Sequence, residues 1–299
     1  MVGDSTMMHQ HGGMCAFLAE RPGRRFDPAE HQIECCVDTL DRVDGGPQQQ
    51  QQQEGDGKDV DFTLYRVQGP QLPQEKTGGR GLCFRHGWQR YADPPAVENL
   101  GYPDAVYFGF GLHFLHMCRP HRPLERIRVQ AWLNYELDLE RVVQTFRDES
   151  KDNIRLVFMT PHSVENSVYH GEFLEVVEAY RTSNDSITSL CDNQVASAAN
   201  GVRGPDGYGE EEYCRNAVLD RNGTDVLNRR SRPVMARLGV PLVEADLITK
   251  DQAWATARGD GRHYQALVPT ELWELLGVLT SPFAFNRQPS PTTPPGLRQ

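Results

Sequence analysis

Residues 105–111, Ala-Val-Tyr-Phe-Gly-Phe-Gly, form an almost uninterrupted apolar run that ends at a glycine. Such a run is typical of a central β-strand that is buried on both faces. Residues 154–159 form a second run of this kind, and residues 240–243 form a third. Between the first two, apolar residues from Leu124 to Phe146 recur at steps of three and four, so they share one helical face. We expect a crossover helix there.

Strand-like and helix-like patterns alternate along most of the chain, with further helices expected around 171–182, 209–220 and 266–278. This alternation is typical of a parallel sheet that is covered by helices on both faces. The predicted fold class is therefore α/β, a three-layer α/β/α sandwich with a mainly parallel sheet.

The chain of 299 residues is long enough for one large domain or two small ones. We predict one domain over residues 1–280. A Gln-rich insertion at about 45–58 has no apolar residues to bury except Pro47, and residues 281–299 form a Pro-rich tail. Both compositions are typical of disordered segments.

The charge balance restricts the partners. The chain carries 31 Lys and Arg residues against 41 Asp and Glu residues, a net charge of −10. Repulsion from phosphates argues against unspecific binding to nucleic acid or to an anionic membrane. The first twenty residues lack the pattern of a secretory signal, and no run reaches the length of a membrane span. A small polar or glycan-like substrate is easier to accommodate.

The cysteines leave the cellular compartment open. Seven scattered cysteines without a C-x-x-C pair do not resemble a disulfide scaffold, and an odd number leaves at least one thiol free or bonded to another chain. Two glycosylation sequons, at Asn184 and Asn222, suit a secretory lumen, although such triplets are common by chance.

Two short motifs at opposite ends of the chain carry candidate chemistry. Gly3-Asp4-Ser5 follows a strand-like start, where a turn can lift a serine into the ligand crevice. Asp260 and His263 lie three apart on a Gly-containing loop, so the histidine can act as a general base and the aspartate can hold its tautomer. Together the motifs contain the three members of a Ser/His/Asp triad.

Each motif also has a plain structural interpretation. Asp4 and Ser5 are good N-cap residues for a following helix, and Asp260 could cap the last helix. A buried first strand needs about five residues, but only Met1 and Val2 precede Gly3. We therefore expect the natural protein to continue upstream.

The motifs resemble those of the SGNH (GDSL-type) hydrolase superfamily. Gly3-Asp4-Ser5-Thr6 and Asp260-x-x-His263-Tyr264 are similar to its PC-esterase branch. That branch includes trichome-birefringence-like wall acetyltransferases, the animal sialic-acid O-acetyltransferase and the neurexophilin-and-PC-esterase proteins. Residues 111–114, Gly-Leu-His-Phe, resemble its third sequence block, and residues 238–243 fit the phrase before its last motif. The resemblance follows the order of elements over residues 1–279.

The resemblance implies a role for each matching residue. Ser5 is the nucleophile, His263 the base and Asp260 its partner. His113 takes the position from which the superfamily's asparagine binds the oxyanion, and a neutral imidazole can donate that hydrogen bond. The Ser5 backbone N–H is a second donor, and Gly87 is the candidate for a third.

The predicted activity is that of a serine esterase or O-acyltransferase, which acts on acyl esters through an acyl-serine intermediate. The resemblance implies that these esters are those of glycans. Acetylating relatives commonly carry an arginine where this chain has Met8, which favours hydrolysis over transfer. The alternative is a catalytically inactive SGNH-like module that binds a glycan or another protein.

No cofactor and no metal are expected, because His9, His11 and Cys15 lack a second ligand pair at a zinc-like spacing. The expected partner is an acylated small molecule or glycan, without nucleic acid. A membrane enters only through an N-terminal anchor upstream of this sequence. The compartment stays open, and the resemblance and the two sequons favour the secretory pathway, in the Golgi or endoplasmic reticulum lumen.

Tryptophans and histidines outside the motifs have simpler interpretations. Trp132 and Trp254 fall at apolar positions of predicted helices, so we expect both in the core. Trp88 either packs or stacks on a sugar ring. His116 and His121 are expected in a loop, where a substrate-facing role is the alternative.

Two charged stretches are expected to face solvent. Glu136, Asp138 and Glu140 alternate around a helix and do not converge, unlike the paired carboxylates of a glycosidase. The arginine-rich residues 228–232 are predicted to be a solvated cluster next to a helix, with contact to an anionic substrate as the alternative.

Overall fold

The fold is described from a computed structural model. It describes residues 2–3, 14, 34–38, 81–85, 87–88, 105–118, 124–149, 154–182, 185–199, 210–256 and 260–281. The predicted Gln-rich insertion, residues 282–299 of the predicted tail, and Asp4, Ser5, Met8, His9, His11, Cys15 and His121 lie outside these residues.

The described strands form a mixed α/β fold with a parallel sheet. They are β1 (Val2–Gly3), β2 (Glu34–Asp38), β3 (Gly81–Arg85), β4 (Gly87–Trp88), β5 (Ala105–Gly109), β6 (Arg155–Met159) and β7 (Leu242–Val243). The sheet has the order β4-β1-β5-β6-β7, and all of its neighbours pair in parallel. Strands β2 and β3 form a separate antiparallel ribbon. The three apolar runs are confirmed as strands, the third shortened to its last two residues.

The described helices are α1 (Arg126–Leu133), α2 (Tyr135–Glu149), α3 (Glu172–Arg181), α4 (Asp185–Ala199), α5 (Glu210–Asn216), α6 (Arg221–Leu238), α7 (Ala245–Thr249) and α8 (Val268–Thr280). The predicted crossover helix is present as two helices, which meet at Asn134. Asparagine is a weak helix former and here ends α1. The helices predicted at 171–182 and 266–278 correspond to α3 and α8.

The helix predicted over 209–220 is too long, because α5 ends at Asn216. The following residues instead pair with the segment after β5: the His116 N–H donates to the Ala217 carbonyl, and the Leu219 N–H donates to the His116 carbonyl. This tertiary contact competes with the helix and ends it.

Three helices have no counterpart in the sequence prediction: α4, α6 and the short α7. Helix α4 is rich in Ser, Asn and Asp, which favour caps and turns, so its periodicity is obscured. Helix α6 contains Pro233, a helix breaker, and many arginines. Its N-cap is Asp220, whose carboxylate accepts from the Gly223 N–H, and its C-cap is Gly239, with φ of 65°. These caps define α6 in spite of the proline.

Each face of the central strands has its own apolar cluster. On β5, Val106 and Phe108 belong to a cluster with Trp132 of α1. Tyr107, which alternates with them, belongs to a second cluster with Leu272 of α8. Successive side chains of a strand point to opposite faces, so both faces of β5 are buried, as predicted.

The prediction that both charged stretches are solvated is wrong for Arg230 and Glu136, which pair with each other. Arg230 of α6 is buried and forms a two-pronged ion pair with Glu136 of α2, and Arg237 of α6 pairs with Glu140. The Arg230 guanidinium also lies 4.4 Å from the centre of the Trp132 ring. A buried ion pair needs this close partnering to offset desolvation.

The two tryptophans predicted for the core have different environments. Trp132 is fully buried, as predicted. Trp254 is 71% exposed, so its prediction was wrong. It lies on the single 3-10 turn Ala253–Ala255, and its indole N–H donates to the Gln252 side chain at 2.6 Å. A turn of three residues leaves this ring without a helical face to bury.

Candidate active site

Asp260 and His263 are in direct contact. The His263 Nδ1 atom lies 2.6 Å from the Asp260 Oδ2 atom. A carboxylate oxygen accepts, so this contact assigns the proton to Nδ1 of the histidine. The side chains of Asp260 and His263 retain 22% and 12% of their surface in contact with solvent. The pair is therefore held in place, yet a ligand can reach it.

The second oxygen of Asp260 is held by Arg262. Asp260 Oδ1 accepts from the Arg262 backbone N–H at 3.1 Å and from its Nε at 3.3 Å. The Arg262 guanidinium lies over the Phe173 ring, 5.3 Å from the ring centre. Burial alone would raise the pKa of Asp260, but the contacts with His263 and Arg262 outweigh it and lower the pKa below its usual value. The carboxylate is charged at neutral pH.

The contacts of Asp260 are not those of a helix cap. The N-cap of α8 is Leu267, which makes no side-chain hydrogen bond to the helix. Between Tyr264 and α8, the 3-10 turn Gln265–Leu267 separates the loop from the helix. The alternative role of Asp260 as the cap of the last helix is therefore wrong.

The loop that carries the pair is attached to the polar segment, which we define as residues 160–166 after β6. The Glu165 N–H donates to the Gly261 carbonyl at 2.9 Å, and the Tyr264 hydroxyl donates to the Ser163 carbonyl at 2.7 Å. Burial raises the pKa of Tyr264, so its hydroxyl remains a donor. These bonds join the carboxyl end of β6 to the candidate site.

The polar segment is itself buried and hydrogen-bonded. The Thr160 hydroxyl donates to Asp246 at 2.8 Å, and the Ser163 N–H donates to the Thr249 hydroxyl at 2.9 Å. The Asn228 side chain donates to the Pro161 carbonyl at 3.0 Å. Buried polar groups need such partners, and here they come from α6 and α7. The segment therefore forms a fixed support for the loop.

Gly261 lets the loop approach this support. Its φ is 62°, in the left-handed region that favours glycine. A Cβ atom at this position would lie 2.5 Å from the Glu165 carbonyl oxygen and 2.8 Å from the Tyr169 ring. No other residue fits here without a shift of the backbone.

His162 and Glu271, which no sequence motif indicates, form a buried pair next to the loop. His162 Nε2 lies 2.8 Å from Glu271 Oε1, and both side chains are almost completely buried. The position of His162, three residues beyond a parallel strand, is the one signal available, because ligand crevices lie at the carboxyl ends of such strands.

The remaining candidate residues lie at or beyond the strands around β1. Ser5 is outside the described residues, but Gly3, two positions before it in the sequence, pairs with Gly109 of β5 and with Trp88 of β4. Gly87 begins β4. His113 is half-buried on the 3-10 turn Leu112–Phe114, which follows β5. The structure brings Asp260 and His263 together.

His116 lies beside a disulfide. Cys118 and Cys191 form this bond, 73 residues apart in the sequence, and the Cys118 sulfur lies 3.3 Å from His116 Nδ1. Burial lowers the pKa of His116 to about 4, although hydrogen bonds with the backbone of Tyr213 and Cys214 oppose the shift. His116 is fully buried, so the substrate-facing alternative does not apply to it.

These residues are also the ones to consider for a metal. In the described part of the chain, the ligand atoms of His116, Cys118 and Cys191 lie within 4.8 Å of one another. Both sulfurs belong to the disulfide, which leaves one imidazole nitrogen, and a bound ion needs several ligands. The arrangement acts as a cross-link between the segment after β5 and α4.

No protein-family model, curated protein or solved structure matches the chain. Among the described residues, no helix has the length and apolar character required to cross a membrane.

Proposed function

We propose that the chain is a serine esterase or O-acyltransferase in which Ser5, His263 and Asp260 form a catalytic triad. The contact of 2.6 Å between His263 Nδ1 and Asp260 Oδ2 carries this proposal. It leaves His263 Nε2 as the nitrogen that can take a proton, and Asp260 is held on its other side by Arg262. A histidine with a fixed tautomer beside a charged carboxylate is the base that activates a serine.

The proposed architecture is the three-layer sandwich of an SGNH-like hydrolase. The parallel strands are β1, β4, β5, β6 and β7. When they are numbered 1 to 5 in chain order, their spatial order in the sheet is 2-1-3-4-5. In this arrangement ligands bind at the carboxyl ends of the strands, where the strand order reverses between β1 and β5. Ser5 follows β1, and His113 follows β5. The separate apolar clusters on the two faces of β5 support the three layers.

In the proposed reaction the Ser5 oxygen attacks the carbonyl carbon of an acyl ester while His263 Nε2 takes the serine proton. His113 and the Ser5 backbone N–H, with Gly87 as the third candidate, donate to the oxyanion. Collapse expels the alcohol, which receives the proton from His263, and leaves an acyl-serine. Water or a sugar hydroxyl then attacks this ester, and a second proton transfer through His263 regenerates the serine.

Trp254 supports a glycan as the substrate. Its exposed ring lies on the turn Ala253–Ala255, which contacts the turn Gln265–Leu267 just after His263 and Tyr264. A Trp ring with an apolar face and a bound N–H is suited to stack on a sugar. We propose that the substrate is an acylated glycan. The access of water to the acyl-serine then determines whether the acyl group is hydrolysed or transferred.

We further propose that the chain functions in the secretory pathway. The disulfide between Cys118 and Cys191 supports this, because disulfides persist mainly in oxidising compartments.

A fluorophosphonate probe tests the triad, because it phosphonylates a serine only when a base activates it. The wild type should be labelled and should hydrolyse p-nitrophenyl acetate. Ser5→Ala should lose both, and His263→Ala should label at least about a thousandfold more slowly. Ser163→Ala is the matched control: Ser163 is buried next to the same loop, and its Oγ has no hydrogen-bond partner within the described structure.

The outcomes separate the enzyme from an inactive module. Labelling of the wild type and of Ser163→Ala, but not of Ser5→Ala, supports the proposal. A folded wild type that neither reacts with the probe nor turns over the ester contradicts it and favours a module that binds glycan or protein. Labelling that persists in Ser5→Ala would assign the nucleophile to another serine.

A further inference from the structure

His162 and Glu271 form a titratable pair that the proposed triad does not use. His162 lies in the polar segment after β6, and Glu271 lies in the first turn of α8. Their side chains keep 2% and 0% of their surface exposed, and Nε2 and Oε1 are 2.8 Å apart. Burial of two ionisable groups is costly unless they partner each other closely, so this pair needs a reason beyond packing volume.

The contacts of the imidazole determine where its protons lie. His162 Nδ1 lies 3.4 Å from the Arg262 carbonyl oxygen, and a carbonyl only accepts, so Nδ1 carries a proton. Nε2 lies 2.8 Å from Glu271 Oε1 in a dry interior, although the two groups do not meet in hydrogen-bond geometry. The ring is therefore held in one orientation, with its N–H directed at Arg262.

The carbonyl that His162 contacts belongs to the residue between the members of the candidate pair. Arg262 directly precedes His263 in the sequence. Its backbone N–H and its Nε both donate to Asp260 Oδ1. The adjacent Gly261 carbonyl is held by the Glu165 N–H. Both consecutive carbonyls of this turn thus have donors in the polar segment.

Aromatic packing fixes the same ring from another side. The imidazole of His162 meets the Tyr264 ring edge-on, with the ring centres 5.4 Å apart at an interplanar angle of 88°. Tyr264 directly follows His263, and its hydroxyl donates to the carbonyl of Ser163, the neighbour of His162. A displacement of His162 would therefore be transmitted to both sides of His263.

We propose that the His162–Glu271 pair is a positioning device that holds the 260–264 loop, through the Arg262 carbonyl and the Tyr264 ring, in the geometry in which His263 meets Asp260. As a mechanism for turnover it rests on the proposed function, whereas the placement of His263 does not. His162 and Glu271 are positioning residues, because they act on the reaction through the loop.

Isosteric variants of Glu271 test this role. Glu271→Gln keeps a polar group of the same shape beside Nε2, while Nδ1 still donates to the Arg262 carbonyl, so kcat should stay within about threefold of the wild type. Glu271→Leu removes the partner and leaves a buried nitrogen lone pair. A displacement of catalytic groups by about 1 Å costs on the order of a hundredfold. We therefore expect kcat on an acetyl ester to fall about a hundredfold with KM nearly unchanged.

A second measurement does not depend on activity. The His263 Nδ1–H group, hydrogen-bonded to Asp260, should give a low-field proton resonance in a sample labelled with ¹⁵N-histidine. Wild type and Glu271→Gln should show it, and Glu271→Leu should lose or broaden it. If Glu271→Leu does not fold, His162→Phe keeps the ring and its contact with Tyr264 but removes both nitrogens, and the same loss is expected.

Arg230→Met is the control for a general loss of stability. It breaks a buried ion pair on the face of the sheet opposite α8, so it should lower the melting temperature but leave kcat per folded molecule and the His263 resonance unchanged. The inference is overturned if Glu271→Leu and His162→Phe retain both the resonance and wild-type kcat. If the wild type lacks turnover while the resonance still depends on the pair, the proposed function fails and the positioning role stands.

Discussion

Asp260 shows how a single carboxylate links the candidate site to stability. Its pKa is lowered in the folded state, because the contacts with His263 and Arg262 outweigh the opposite effect of burial. A carboxylate with a lowered folded pKa stabilises the fold above its unfolded pKa, about 3.9, and this contribution is lost as the pH falls through the folded pKa.

We therefore predict a steeper acid denaturation for the wild type than for Asp260→Asn. In the wild type, the contribution of Asp260 to the free energy of unfolding should be constant above about pH 5 and should decline below about pH 4. Asp260→Asn should be less stable at pH 7 and show a weaker decline. Urea unfolding between pH 2.5 and 7 measures both curves. Asp192→Asn, at an exposed position of α4, should follow the wild type.

His113 is the second residue whose role a substitution can test. It is half-buried between the fully packed Leu112 and Phe114. If it donates to the oxyanion as a neutral imidazole, His113→Ala should reduce turnover per folded molecule about a hundred- to thousandfold with substrate binding largely intact. His113→Asn, which restores an N–H donor, is the control and should recover part of the rate.

The measurement is kcat on an acetyl ester together with the melting temperature of each variant. Near-normal turnover of His113→Ala with a lowered melting temperature would assign His113 to packing and remove it from the proposed oxyanion site.

At the scale of elements, the loop around Gly261 depends on a backbone shape that only glycine adopts easily. We predict that Gly261→Ala destabilises the fold by about 2–4 kcal/mol, since the Cβ atom adds overlap with Glu165 and Tyr169 to the cost of positive φ. The shift of the loop should also reduce kcat per folded molecule. Chemical unfolding and ester hydrolysis measure the two effects.

Gly171 offers the matched control for this prediction. Its φ of 54° is similar, but nothing lies within 4 Å of its Cβ position. Gly171→Ala should therefore cost about 1 kcal/mol for the backbone alone and leave kcat unchanged. Equal losses of stability in the two variants would show that the close approach at Gly261 is unimportant.

The elements differ in how far they can be predicted from sequence. Strand β5 is predictable because its apolar run is short, rich in β-branched and aromatic residues and followed by a glycine. Helix α6 is not, because Pro233 contradicts its local pattern and the packing of Leu227 and Val234 in the core compensates. The end of α5 at Asn216 likewise depends on pairing with His116, about a hundred residues earlier.

At the scale of the whole molecule, the disulfide between Cys118 and Cys191 closes a long loop that contains α1 to α3 and β6. In the chain-entropy account, a cross-link over 73 residues stabilises the fold mainly by restricting the unfolded chain. We predict that the double variant Cys118→Ala and Cys191→Ala loses about 2–4 kcal/mol. Thermal unfolding with and without a thiol reductant measures this loss.

The wild type should lose stability when reduced, whereas the double variant should respond little to the reductant. Cys214→Ala, which removes a buried thiol and leaves the disulfide, should retain the response of the wild type. A wild type that unfolds at the same temperature in both conditions would contradict the prediction.

Local patterns were sufficient to predict β5, β6 and β7, the α/β class and the proximity of Asp260 to His263, because apolar runs and a spacing of three residues are local properties. Tertiary structure alone decided which distant groups meet. The residues of the ion pair Arg230–Glu136 are 94 positions apart in the sequence. His162, which follows β6, contacts Glu271 of α8, although α6 lies between them in the sequence. Such pairings follow from which helix faces the sheet buries together, and no local pattern encodes that choice.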